Sequence, residues 1–402
     1  MTKTFTYSRM SQVLYQLLFF CLPFGIAAQS VDYEWYDKGL SQKKIGAYQK
    51  AQQSFDQFIK QYPHQKPRAY FHRGYTFYFL KNYQAAIDDF KELYRLDPNN
   101  VNGPYALGRT FHQLKKYRDA IHYFSLAIKV DPSYAAAYND RGMVRCLQQN
   151  YDPALEDFYK ATSIDTSFAM AYNNTGTARY FNQDIAKPNR KDLQIAHEWF
   201  TKAIERDRTL ALAYRNRATM NIFLKRPEAA LIDLNQARRI EPENGMVHFY
   251  FGVVYADQNK NEKAIISFTK ALEFNPQLSF AFEEMGNLYK NQKQGSKAIE
   301  QYKLAQTARP NTGKLYQGLM AYRMALVYAE MGNKDQVFQA LKKGRKAKVF
   351  SDMRVYQDFL KAKEFKKFRH KRAFKRFTRS VRKGKKDNKF LHPELAWFRM
   401  RK

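Results

Sequence analysis

The chain is long, basic and poor in cysteine. Its 402 residues would suffice for two or three globular domains, and a hydrophobic content of 45% is ample for a packed core. Of the formal net charge of +32, the last 61 residues hold +19, with 24 Lys or Arg against five Asp or Glu. One of the two cysteines, Cys21, lies in a segment that we expect to be removed, which excludes an internal disulfide. Packing alone must therefore hold the fold.

The first 28 residues are typical of a secretory signal peptide. Lys3 and Arg9 precede VLYQLLFFCLPFGIAA, an uncharged apolar run of 16 residues that ends in small residues. An uncleaved membrane anchor is the alternative, but the run is shorter than the ~20 residues of a membrane span and contains Pro23. We therefore expect residues 1–28 to be cleaved and the protein to be exported, to the periplasm or in association with the cell envelope.

A repeated pattern begins at about Asp32. An Ala recurs at intervals of 34 residues, with one interval of 35 and one of 42. A Gly or Ala precedes each Ala by twelve positions, except in the long repeat, and an aromatic residue or Leu follows it by four; Pro closes most repeats. The eight anchors are Ala51, Ala86, Ala120, Ala154, Ala196, Ala230, Ala264 and Ala298. A fixed period of this length predicts a solenoid, so the length does not imply separate globular domains.

Each repeat is predicted to be two antiparallel helices. The residue before a Pro is disfavoured in the α region, so the closing Pro ends the second helix. The small residue and the anchor Ala allow the two helices to approach closely, and the aromatic residue fills the gap to the next repeat. One pair cannot bury its own apolar face, so we expect the pairs to stack along the chain.

This pattern resembles the tetratricopeptide repeat, in which an aromatic residue, a Gly and a Tyr on one helix precede Ala-x-x-x-Phe on the next. Eight repeats match from residue 32 to residue 312, one of them with an eight-residue insertion near 185–192. A degenerate ninth, at 318–351, has Val337 where the anchor Ala is expected. The resemblance implies an all-α, right-handed superhelical solenoid of about nine helix-turn-helix repeats with a C-terminal capping helix, which binds protein or extended peptide partners in a concave groove.

The resemblance also implies that the first helix of each pair lines this groove. Asn139 and Asn173 occupy equivalent positions in adjacent repeats, and an amide can both donate to and accept from a peptide backbone. Arg109 and Arg215 could pair with a carboxylate. Ordinary exposed polar residues are the alternative. The lining positions are Phe71, Tyr75, Tyr105, Arg109, Asn139, Asn173, Thr177, Arg215, Thr219, Phe249, Glu283 and Asn287.

Two segments follow the repeats. Residues 352–375 are predicted to form the capping helix, because four apolar residues of this segment can cover the last pair: Phe359, Leu360, Phe365 and Phe368. Residues 376–402 are predicted to be a basic tail for electrostatic attachment. An anionic membrane surface suits it, and so does an acidic protein. Nucleic acid is disfavoured because an exported protein meets little of it, and a solvated tail without a partner remains the alternative. The cationic positions are Lys371, Arg372, Lys375, Arg376, Arg379, Arg382, Lys383, Lys385 and Lys386.

Motifs of catalysis are not found. The eight His residues lack the spacing of metal ligands, and the chain has no Gly-x-Ser-x-Gly, dinucleotide-binding or P-loop motif. We expect no enzymatic activity, cofactor or metal site. The leading hypothesis is an exported scaffold or adaptor that binds proteins. The alternative is a protein that binds a membrane surface or another polyanion, in which the basic tail is the functional part.

Overall fold

The computed structural model describes residues 34–62, 66–183, 189–308, 313–351 and 353–383, and all regular elements within these ranges are helical. The predicted signal peptide lies outside the described residues, and so do residues 384–402 of the predicted tail. No helix in the described ranges has the length and apolar character that a membrane span needs.

The described helices divide between two compact units, residues 1–97 and 98–402. The first contains two helix pairs, α1 (Glu34–Lys44) with α2 (Tyr48–Gln61) and α3 (Lys66–Phe79) with α4 (Tyr83–Leu96). The second contains seven pairs: α5 (Asn102–Gln113) with α6 (Tyr117–Val130), α7 (Ala135–Leu147) with α8 (Tyr151–Ile164), α9 (Ala169–Phe181) with α10 (Arg190–Arg206), α11 (Ala211–Phe223) with α12 (Pro227–Ile240), α13 (Gly245–Asp257) with α14 (Asn261–Phe274), α15 (Ser279–Asn291) with α16 (Gly295–Thr307), and α17 (Lys314–Glu330) with α18 (Lys334–Lys346). The prediction of consecutive helix-turn-helix repeats in an all-α fold is confirmed.

The core lies where the repeat pattern places it. All eight anchor Ala residues are fully buried, and the residue four positions after each anchor is buried as well. In the ninth pair, Val337 and Leu341 take these two places and are also fully buried. The residues that follow the eight anchors are Phe55, Phe90, Phe124, Phe158, Phe200, Leu234, Phe268 and Tyr302.

Close packing explains the small residue on each first helix. A Cβ atom added to Gly142 would lie 2.8 Å from Cε1 of Phe158, nearer than carbon atoms approach in real structures. In the sixth repeat the small residue is larger and its partner is smaller. Ala218 occupies the Gly position and Leu234 occupies the aromatic position, and both are fully buried. A larger residue on one helix is thus matched by a smaller one on the other.

The repeat with the insertion has a longer second helix. Asn189 caps α10, since its Oδ1 accepts a hydrogen bond from the backbone N–H of Asp192 over 2.8 Å. The helix then runs for 17 residues, against 14 in α8. Part of the predicted insertion near 185–192 is therefore helical, while residues 184–188 lie outside the described residues.

An ion pair recurs between the two helices of alternate repeats. In each case, an Arg on the first helix faces an Asp 16 positions later on the second helix at 2.6 Å, and the carboxylate is almost fully buried. Since a buried carboxylate needs a cation and hydrogen-bond donors, these pairs fix how the two helices of a repeat meet. They are Arg73–Asp89, Arg141–Asp157 and Arg217–Asp233.

The C-terminal elements pack as an aromatic cap on the ninth pair. They are a short 3-10 helix (Val349–Ser351), α19 (Met353–Lys361), a second 3-10 helix (Lys363–Phe368) and α20 (Arg372–Lys383). The rings of this cap lie with centroids between 5.2 and 5.7 Å apart and belong to Phe350, Phe359, Phe365, Phe374 and Phe377.

The cap extends further than the sequence analysis placed it. The predicted boundary at residue 375 falls inside α20, because Phe377 and Val381 continue the buried face of Phe374. Leu360, expected to cover the last pair, is 42% exposed.

Candidate protein-binding surface

The first helices of successive pairs form a surface that we call the first-helix face. In the C-terminal compact unit it is built from α5, α7, α9, α11, α13, α15 and α17. Most of the predicted groove residues lie on these helices. Phe71 and Tyr75 lie on α3, in the N-terminal compact unit.

A ladder of hydrogen bonds joins four successive first helices. The hydroxyl of Tyr105 donates to Asp140 over 2.8 Å, and the amide of Asn139 donates to the same carboxylate over 3.0 Å. Asn174 donates to Oδ1 of Asn139 over 2.9 Å, and Asn216 donates to Oδ1 of Asn173 over 2.9 Å. Asn173 in turn donates to Asn174 over 3.4 Å. We call this set, Tyr105, Asn139, Asp140, Asn173, Asn174 and Asn216, the amide ladder.

The structure moves the exposed amides by one residue from the predicted positions. Asn139 and Asn173 are only 4% and 1% exposed, because their side chains lie inside the ladder and bond to neighbouring helices. Asp140, Asn174 and Asn216 remain partly exposed. These three residues were missed, although they are spaced by 34 and 42 positions like the anchors.

The ladder orders side chains that still have bonding capacity. An Asn side chain offers two N–H donors and an oxygen with two lone pairs. The single ladder bond of Asn216 therefore leaves a donor and an acceptor for a ligand. Since these amides are already held in place, a bound peptide would lose less free energy in ordering them.

Cations and hydroxyls flank the ladder. The guanidinium of Arg109 lies 6.0 Å from the ring centroid of Tyr105, and Arg215 is half-buried on α11. The hydroxyls of Thr177 and Thr219 each donate over 3.0 Å to the carbonyl four residues earlier in their own helix. Burial and the neighbouring Asp140 raise the pKa of the Tyr105 phenol, so it stays a neutral donor.

Two of the predicted groove positions in the later repeats belong to a buried network. Glu283, 2% exposed, pairs with Arg323 at 2.8 Å and accepts a hydrogen bond from Tyr316 over 3.2 Å. Burial raises the pKa of the Glu283 carboxyl, against the opposing effect of Arg323. Oδ1 of Asn287 accepts from Tyr302 over 2.9 Å and from Arg323 over 3.0 Å. This network joins α15, α16 and α17 and offers little to a partner.

The aromatic groove positions are also largely engaged by the fold. Phe249 is 2% exposed and packs on Phe268, with ring centroids 5.6 Å apart. The ring of Tyr75 lies 5.0 Å from Phe71 and has Lys43 over it, with Nζ 5.3 Å from the ring centroid. Tyr75 and Phe71 are half-buried.

A second surface lies on the cap. The side chains of Lys371, Arg372, Lys375, Arg376 and Arg379 are exposed. We call this set, which lies on α20 or directly before it, the basic face. The side chains of Arg382 and Lys383, and all of Lys385 and Lys386, lie outside the described residues.

The described side chains contain no group of three His, Cys, Asp or Glu residues that could hold a metal ion. Cys146 is half-buried, and its burial raises the pKa of the thiol to about 11, which disfavours the reactive thiolate.

Comparison with known proteins agrees with the repeat architecture. The tetratricopeptide repeat family models match residues 36–101, 105–167 and 249–278. No curated protein matches the chain in sequence.

Three solved structures illustrate the likeness in fold. A tetratricopeptide repeat protein from Parabacteroides merdae shares 16% identity and a TM-score of 0.49, covering 64% of this chain and 98% of its own. PilF of Pseudomonas aeruginosa shares 16% identity and a TM-score of 0.46, over 52% of this chain and 92% of its own. YrrB, a protein with an unusual peptide-binding site, shares 18% identity and a TM-score of 0.37, over 48% of this chain and 95% of its own.

Proteins built of these repeats are in general scaffolds without catalytic activity that bind other proteins or peptides. The family matches agree with nine consecutive helix pairs in the described residues and with buried Ala and aromatic residues in phase through the repeats. The chain is therefore a tetratricopeptide repeat protein.

Proposed function

We propose that this protein is an exported adaptor that holds an extended segment of a protein partner on its first-helix face, at the amide ladder. The observation that carries this proposal is the alignment of partly exposed Asp140, Asn174 and Asn216 on three successive first helices. Groups that repeat along a row suit a ligand that also repeats, and the peptide backbone presents one donor and one acceptor per residue. Arg109 and Arg215 at the ladder favour a partner segment that carries acidic side chains.

Substitution of the exposed ladder residues tests this proposal. We expect a variant with Asn174→Ala, Asn216→Ala and Arg215→Ala to lose the partner that the wild-type protein captures from envelope extracts. Glu156→Ala with Lys160→Ala is the matched control, because both residues are exposed on the second helix α8. Circular dichroism of each variant checks that the helices are retained. If the ladder variant captures the same partner as the wild type, the ladder is not the binding surface.

We propose further that the protein is exported and attaches to an anionic surface through its C-terminal region. The basic n-region and apolar run of residues 1–28 support export. The basic face supports attachment: from Lys361 to Lys383 the chain has 12 Lys or Arg against a single Glu. Exposed charges of this kind act over about 8 Å at physiological salt, so attachment should weaken as salt rises.

A protein whose function is mainly to bind a membrane surface is the second candidate. The basic face favours it, because juxtamembrane cations near an anionic leaflet contribute about 1 kcal/mol each. A deletion combined with substitutions distinguishes the two candidate functions. Removal of residues 384–402 together with Gln substitutions on the basic face should abolish vesicle binding but leave capture of the protein partner intact. If partner capture is lost as well, the cap is the principal binding site.

A further inference from the structure

The cap contains a cleft between α19 and α20 that combines an apolar floor with a cationic rim. Its volume is about 320 Å³. Phe359, Leu360 and Phe374 line the apolar side, and Thr378 also lines the cleft. The rim consists of Arg369, Lys375 and Arg379. We call this space the cap cleft.

The rim is positively charged, and the ion pairs between described residues do not neutralise it. None of the side chains that line the cleft is a carboxylate. The single acid between Lys361 and Lys383 is Glu364, and it is engaged elsewhere, at 2.6 Å from Nζ of Lys290 on α15. The ion pairs between described residues do not include any of the three rim cations.

Arg369 is held in place by two hydrogen bonds that use only part of its N–H donors. Its Nη2 donates to the carbonyl of Leu360 over 2.9 Å and to that of Ala362 over 3.1 Å, at the end of α19. A guanidinium has five N–H donors in a fixed plane, so the remaining ones are oriented for a planar or tetrahedral anion.

The apolar floor narrows the class of ligand. Leu360 is 42% exposed at this floor, so a purely ionic polyanion would leave it in contact with water, whereas an amphipathic anion would cover it. Nucleic-acid bases stack on open ring faces, but Phe359 and Phe374 are 1% and 6% exposed and their rings pack on each other at 5.4 Å. The volume lies at the small end of the 300–1,000 Å³ or so typical of ligand pockets, which suits one headgroup with the start of an acyl chain.

The packing of α20 also determines how such a ligand would reach the protein. A free amphipathic helix binds a membrane by burying its apolar face among the lipids. In α20 that face is already used, because Phe374, Phe377 and Val381 are buried in the cap. Apolar contact between the cap and a membrane therefore depends on a lipid that enters the cleft, with the basic face oriented towards the headgroups.

We propose that the cap cleft binds one anionic phospholipid, with the phosphate on the cationic rim and the first part of the acyl chain on the apolar floor at Leu360. This inference rests on the proposed attachment to an anionic surface and gives it a defined site. It differs from attachment by charge alone in one respect: the shape of the cleft must matter as well as its charge.

The test uses the full chain without residues 1–28 and two kinds of variant. Thr378→Trp fills the cleft and leaves the charge unchanged, and Thr378→Leu is a milder version in case the larger side chain disturbs the cap. Lys375→Gln with Arg379→Gln removes two rim cations. Lys366→Gln with Lys367→Gln is the control, since these lysines are exposed, lie outside the cleft and change the net charge equally.

Calorimetry with short-chain, monomeric phosphatidylglycerol measures the site directly, and flotation of phosphatidylglycerol vesicles measures attachment. We expect both cleft variants to weaken binding of the soluble lipid about tenfold or more, and the control pair to change it less than about threefold. Glycerol phosphate should bind weakly because it lacks the chain, and short-chain phosphatidylcholine should bind weakly because it lacks net charge.

Three results would overturn the proposal that the cleft binds a lipid. If both Thr378 variants bind lipid like the wild type, while the rim pair and the control pair of substitutions weaken binding equally, attachment is by charge alone. The proposed attachment to an anionic surface would then stand, and only the cleft proposal would fail. Equal affinity for glycerol phosphate and the short-chain lipid would show a plain phosphate site. Single-stranded oligonucleotide that binds tighter than the lipid and competes with it would identify a nucleic-acid surface.

Discussion

The packing of Gly142 against Phe158 yields a quantitative prediction. A Cβ atom at position 142 would lie 2.8 Å from Cε1 of Phe158 and 3.1 Å from the backbone oxygen of Ala154. The ring can tilt but the carbonyl cannot, so Gly142→Ala should strain the fourth repeat. Overpacking of this kind costs about 1–3 kcal/mol, and the better helix propensity of Ala offsets about 0.8–1 kcal/mol of it. We expect a net loss of about 1 kcal/mol in local unfolding free energy.

The sixth repeat indicates how this strain can be relieved. Ala218 and Leu234 occupy the same two positions there without exposure of either side chain. Phe158→Leu alone should cost about 1 kcal/mol through the cavity that it leaves. The double variant, Gly142→Ala with Phe158→Leu, should be close to the wild type in stability. This corresponds to a coupling of about 2 kcal/mol, within the range measured for residues in contact.

Native-state hydrogen exchange is the appropriate assay, because stability in a repeat array is a sum over neighbours and a single transition does not describe it. Exchange in Gly142→Ala should rise most in α7 and α8 and in the adjacent pairs, and should fall again in the double variant. Additivity of the two substitutions within about 0.5 kcal/mol would refute the size-matching argument. A uniform rise over all described helices would refute the nearest-neighbour account.

Three further predictions follow from buried charge and from the N-terminus. Burial, Lys43 and Arg68 lower the pKa of His72 to about 4. Between about pH 6.5 and pH 4 the unfolded chain therefore binds more protons than the folded chain, and the N-terminal compact unit should lose up to about 2 kcal/mol of folding stability between pH 7 and pH 5. His72→Gln should abolish most of that loss, and an unchanged pH profile would contradict this prediction. Asp157→Asn removes the partner of Arg141 (2.6 Å) and Arg145 (2.9 Å) and should cost about 2–3 kcal/mol in the fourth repeat by hydrogen exchange. The matched Glu156→Gln, at an exposed neighbour, should change less than about 0.5 kcal/mol, and equal losses would show that the pair contributes little. Mass spectrometry of the native protein should find the N-terminus near residue 29, and an intact Met1 would exclude cleavage.

The repeat pattern predicts the core because each position carries the same constraint in every copy. Ala154 and Phe158 are buried for the same reason as Ala264 and Phe268, so the period alone identifies them. The size exchange at Ala218 and Leu234 was also present in the sequence, since both depart from the pattern in the same repeat. It could have been predicted by comparing the two helices of that repeat.

The candidate site was harder to predict because it depends on contacts between repeats. Asn139 and Asp140 are about 100° apart on one helix, and both fall on the first-helix face. Which of them is buried depends on how closely the next first helix approaches, and the pattern within a single repeat does not contain this information. The sequence therefore located the helices that carry the ladder but assigned exposure to Asn139 and Asn173, which are buried.

The cap was misjudged for a related reason. Phe374, Phe377 and Val381 have the spacing of an amphipathic helix, and a membrane or the rest of the protein would equally well bury such a face. The basic residues between them suggested a separate tail beyond residue 375. In the structure the apolar face completes the cap, and the charges remain on its outer side.

The most direct test of the central claim is site-specific photo-crosslinking of the bound partner. A photoreactive residue placed at Thr177 or Thr219 lies on the first-helix face beside the ladder, whereas one at Glu156 or Lys160 lies on a second helix. If the first-helix face holds an extended segment, mass spectrometry should find crosslinks from both Thr positions to one short, contiguous stretch of the same partner, and few from the second-helix positions. Equal crosslinking from both surfaces, or crosslinks scattered over the partner, would contradict binding at the amide ladder.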